Sequence, residues 1–89
     1  RQRQMCIRDR RSLDSITLAE QLDILEEFRL FIEKDLEFYQ KAQEDMAEHQ
    51  ARFPENAERF RILGEAYELD IQIAKTKLSW IKKQIADRK

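Results

Sequence analysis

Between Phe60 and Ile85 the chain carries two apolar stripes at helical spacing. The first is Phe60, Leu63, Tyr67, Ile71, Ala74, Leu78, Ile81 and Ile85, and the second is Ile62, Ala66, Leu69, Ile73 and Trp80. At about 100° per residue the two lie on well-separated sides of one helix. A single partner helix covers only one of them, so the pattern predicts an element built for assembly.

A first helix is expected upstream. Thr17 stands at an N-cap position with Glu20 three residues on, the arrangement of a capping box. No helix breaker follows until Pro54. Leu18, Leu22, Leu25, Ile32, Leu36, Tyr39 and Met46 recur at spacings of three, four or seven, and Ile24, Phe28, Phe31, Phe38 and Ala42 make a neighbouring row. Leu30 falls outside this arc, on the charged side. Ala51 to Asn56 forms the one clear break, where Pro54 suits the first turn of a second helix and Glu55 and Glu58 suit its positive end. The chain is therefore read as all-α: two long helices, about 17–51 and 55–87, antiparallel because their connection is short. Gly64 is either a close-packing point or a bend in the second helix.

Burying one large apolar side chain contributes roughly 1.5 to 3 kcal/mol, so five of them left wet would forgo an amount comparable to a small domain's whole stability. Two hairpins related by a twofold axis solve this, each using the Phe60 to Ile85 stripe internally and offering Ile62, Ala66, Leu69, Ile73 and Trp80 as the dimer interface. The expectation is a helical hairpin that dimerises into a bundle.

Composition narrows the class. Of 89 residues, 39% are charged and 42% hydrophobic, with one Gly and one Pro, which suits long amphipathic helices. No apolar run approaches the roughly 18 residues of a membrane span, so a cytoplasmic protein without a membrane partner is expected. Residues 1–10 (Arg1 to Arg10) have neither apolar periodicity nor a signal-peptide core. Back-translated, Met5 to Arg10 resembles a transposase sequencing adapter read in frame, so residues 1–10 are expected to be adapter-derived and residues 11–89 to form the helical domain. The sole cysteine, Cys6, then carries no redox message. The whole chain has a formal charge of −1, but Arg11 to Gln50 holds 4 basic and 11 acidic side chains while Ala51 to Lys89 holds 9 and 6. Such opposed halves favour lying side by side and offer no concentrated basic face for nucleic acid.

Chemistry is sparse. His49, the sole histidine, has Asp45 one turn before it, a spacing read as a surface pair because a helical metal site needs several ligands from different helices. Asp35 falls inside the apolar arc, suited to pairing with a lysine or arginine of the second helix or to setting register. Ser79 and Thr76 lack a histidine within a helical turn, and there is no glycine-rich phosphate loop. No enzyme activity, metal or cofactor is expected. Trp80 either fills a dimer core or walls a pocket for a small aromatic effector, with Tyr39, Tyr67 and Phe28 as companions.

The stretch Leu18 to Tyr39, LAEQLDILEEFRLFIEKDLEFY, resembles the first C-terminal helix of PadR-type transcriptional regulators. Ile71 to Ile81, IQIAKTKLSWI, is similar to the end of that region, with Leu78, Trp80 and Ile81 matching its closing pattern and Asp70 standing where a glycine is common. The resemblance implies a dimerisation domain, with DNA contacted only through an N-terminal winged-helix domain encoded upstream and a possible aromatic effector near Trp80. The alternatives are a free-standing helical coiled-coil adaptor and the helical part of an enzyme whose catalytic groups lie in sequence outside this chain.

Overall fold

The computed structural model describes residues 16–89, so the adapter reading of residues 1–10, and Cys6 with it, lies outside the described residues. Helix α1 runs Leu18–Arg52, a single 3-10 turn occupies Pro54–Asn56, and helix α2 runs Ala57–Arg88. The two helices lie antiparallel, an all-α hairpin as the periodicity predicts.

Local chemistry sets the helix ends. The Glu20 backbone N–H donates to the Thr17 hydroxyl at 3.1 Å, and the Thr17 N–H donates back to Glu20 Oε1 at 2.9 Å, completing the capping box. The bond from the Thr17 backbone, and after it one that the Thr17 hydroxyl donates to Glu20 Oε1 at 3.1 Å, hold the Glu20 carboxyl below its usual range. At the other end the Phe53 N–H donates to the His49 carbonyl at 2.8 Å. Pro54 lacks an N–H and cannot extend that ladder, so the chain turns. The Asn56 N–H then closes the 3-10 turn on the Phe53 carbonyl at 2.9 Å, leading into α2 two residues later than the sequence suggests.

The packed seam is sharper than the stripes that announced it. In α2 one row of buried and half-buried residues runs Phe60, Gly64, Tyr67, Ile71, Ala74, Leu78, Ile81 and Ile85, in alternating steps of four and three. In α1 the matching set is Leu22, Leu25, Arg29, Ile32, Leu36, Tyr39, Gln43, Met46 and Gln50, in steps of three and four. This mean period of 3.5 is the heptad of a coiled coil. It corrects the first stripe of α2 at Leu63, which is exposed because Gly64 occupies the seam position, and the α1 row at Leu18, which lies outside the packed seam. Ile32, Ala74, Ile81 and Ile85 are buried together, with Leu22, Leu25, Leu36 and Leu78 packed against them. The core thus sits in the half of the hairpin away from the bend.

Several polar residues in the seam are hydrogen-bonded, along their own helix or across the hairpin. Arg29 reaches Glu26 and Glu33, one turn to either side, both at 2.7 Å. Gln43 Nε2 donates across the hairpin to the Gly64 carbonyl at 3.1 Å and to Glu68 Oε1 at 3.0 Å. At the open end Arg88 Nε donates to Gln21 Oε1 at 3.1 Å. Helix α2 continues unbroken through Gly64, and a methyl group built there would meet Met46 Cβ at an ordinary 3.7 Å.

Candidate interaction surface

A second pair of heptad rows lies outside the packed seam. In α1 it is Ile24, Phe28, Phe31, Asp35, Phe38 and Ala42; in α2 it is Ile62, Ala66, Leu69, Ile73, Thr76 and Trp80, both again in steps of three and four. The proposed interface residues Ile62, Leu69, Ile73 and Trp80 are 53%, 59%, 44% and 55% exposed, and Ala66 is exposed as well. The α1 row is uncovered apart from half-buried Ala42: Phe31 and Phe38 are 63% and 64% exposed. Sequence periodicity placed this row beside the buried one, and the structure shows that α2 covers only its neighbour.

The two outer rows meet. Phe28 and Trp80 line one apolar hollow of about 350 Å³ together with Thr76 and the stem of Lys77. Further toward the bend, Ile73 shares a groove with Asp35, Tyr39, Asp70 and Lys77, and on its other side a shallow depression with Leu69, Gln72, Thr76 and Lys77. The uncovered apolar surface therefore passes from α1 onto α2. Leu30 and Phe31 border a separate hollow with Glu27 and Lys34.

The four candidate effector-pocket residues separate into two pairs. Phe28 and Trp80 face one hollow. Tyr39 and Tyr67 approach each other with ring centroids 6.4 Å apart, about three helical turns nearer the bend along α1. Tyr39 borders the groove with Ile32, Ile73 and Ala74, apart from the hollow that Phe28 and Trp80 share.

His49 departs from the surface pairing expected of it. Its ring lies 5.2 Å from that of Phe60 and 6.0 Å from that of Phe53, while Asp45 pairs with Lys41 at 3.5 Å instead. The bend brings three aromatic rings together there, a contact between residues on both sides of Pro54. His49 Nδ1 is buried without a hydrogen-bond partner. Asp35 is exposed, and among the described residues neither it nor Lys77 joins an ion pair.

Among the described residues no helix is long and apolar enough to cross a membrane, and no group of three or more His, Cys, Asp or Glu side chains is placed to hold a metal ion. The arrangement offers apolar contact area. No protein-family model, curated protein or solved structure matches the chain.

Proposed function

We propose that the hairpin is a self-association module, the dimerisation domain of a PadR-like transcriptional regulator whose DNA contacts are made by an upstream winged-helix domain. The observation that carries the reading is the second heptad row on each helix, uncovered and continuous from Phe28 to Trp80. A 3.5-residue apolar repeat fits the holes of another helix, and a second copy supplies two such helices. The regulator assignment is supported by the acidic, leucine-rich run Leu18 to Tyr39 and the closing Leu78, Trp80, Ile81 pattern. In this reading the Phe28 and Trp80 hollow is where a small aromatic effector sits, and the hairpin alone has no specific affinity for DNA.

Sedimentation equilibrium between about 1 and 100 μM tests the association. Ile73→Glu combined with Trp80→Glu places two charges in the apolar row and is expected to leave a helical monomer, because unpaired charges are costly to bury at an interface. A wild-type chain that stays monomeric and fully helical across that range overturns the proposal.

A further inference from the structure

Two face-to-face twofold arrangements are open to such a hairpin. In one, the axis runs along the helices: α1 of each copy lies on α2 of the other, and both bends sit at one end. In the other, the axis crosses the helices: α1 lies on α1, α2 on α2, and the bends are at opposite ends. We infer that the hairpins pair in the first way, with bends together, and that Asp35 selects it. This rests on the self-association proposed above.

Charge argues for it at two scales. Helix α1 carries 10 acidic and 4 basic side chains, whereas α2 carries 5 and 7. Laying α1 on the partner's α2 therefore brings opposite signs together, and laying α1 on α1 sets two acidic helices face to face. Like-charge juxtaposition suppresses a docking mode and complementary charge favours it. At the centre of the surface the effect is concentrated. Asp35 is the middle residue of Leu18–Arg52 and the one charged member of the outer α1 row. With bends at opposite ends and the helices fully overlapped, the axis passes at Asp35, and the two copies of that carboxylate meet in an apolar contact. Lys77 would then find Asp70 of the partner, but Asp35 would find only its own image. With bends together, residues that share a level within one hairpin share it across the interface. Asp35 and Lys77 line one groove, so each Asp35 comes within about one helical turn of the level of the partner's Lys77, inside the reach of the lysine side chain. Neither has an ion pair within the hairpin among the described residues, so both are free to make that contact.

The test is a spin-label distance. Cys6→Ser with Glu55→Cys places one label on the exposed bend of each copy of the full chain. Bends together predict a label separation of roughly 15 to 30 Å, set by neighbouring helix axes 8 to 10 Å apart and two label linkers. Bends at opposite ends predict roughly 45 Å or more, the length of a helix at about 1.5 Å per residue. A second measurement is the dimer dissociation constant of Asp35→Asn. Bends together predict weakening of roughly five- to tenfold, since Lys77 loses a partner. A long distance, or an Asp35→Asn dimer that is unchanged or tighter, overturns the pairing while leaving self-association intact. A monomer at all concentrations removes both.

Discussion

Trp80 and Ile81 are consecutive residues of one helix, yet Trp80 is 55% exposed and Ile81 is 0% exposed. The same contrast runs the length of α2: Ile71, Ala74, Ile81 and Ile85 are buried, while Ile62, Leu69 and Ile73 are not. Apolar character is shared between the rows, so it does not explain the difference. What separates them is a partner. The inner row meets Leu22, Leu25, Ile32 and Leu36 of α1, whereas the outer row only borders shallow hollows beside α1 and stays about half exposed. Burial is a property of a pair of surfaces, and an unspent heptad on one helix is a request for another helix.

Substitution in each row breaks the contrast most directly. Ile81→Ala is expected to lower unfolding free energy by about 2 to 5 kcal/mol at every protein concentration, because the lost methyl groups leave a cavity in a fully packed site. If the proposed dimer forms, Ile73→Ala is expected to matter only at concentrations where it does. Urea melts at low and high concentration read both, and equal losses in the two variants at low concentration would erase the distinction between the rows.

The bend half of the inner row is thinner, and there the comparison can be sharpened rather than broken. Gly64→Ala adds a methyl group facing Met46 at contact distance and removes a flexible residue from a helix interior. A gain of up to about 1 kcal/mol is expected, read as a shift in urea midpoint without loss of helical signal. Thr17→Ala touches neither row. Losing the N-cap is expected to destabilise the hairpin by about 1 kcal/mol, with no change in dimer affinity once the loss in folding is accounted for.

The smallest effect is that of acid. Glu20, Glu58 and Glu68 are held below the usual carboxylate value of 4.5: Glu20 by Thr17, Glu58 by hydrogen bonds and attraction from Arg61, and Glu68 by the Gln43 and Gln72 side chains. The folded chain thus binds these protons less readily than the unfolded chain. Their contribution is complete above the unfolded value and declines as pH falls through 4.5 toward the lower folded values. Because all three carboxyls face solvent, the expected change in melting temperature is small and shrinks with added salt. An acid titration followed by circular dichroism checks its direction.

Much of this architecture was legible in the residues themselves. Thr17 with Glu20 and then Pro54 mark the helix limits, because capping and the missing proline N–H act within a few residues along the chain. The two rows of α2 follow from helical geometry, as does an antiparallel hairpin from a short bend. The tertiary structure decided what depends on contact between distant residues. It set the register that puts Gly64 in the seam and leaves Leu63 outside it, drew His49 between Phe53 and Phe60 rather than to Asp45, and separated Tyr39 and Tyr67 from Phe28 and Trp80. It also turned the α1 row of Ile24, Phe28, Phe31 and Phe38 away from α2, since a helix can bury against one neighbour only the side that faces it.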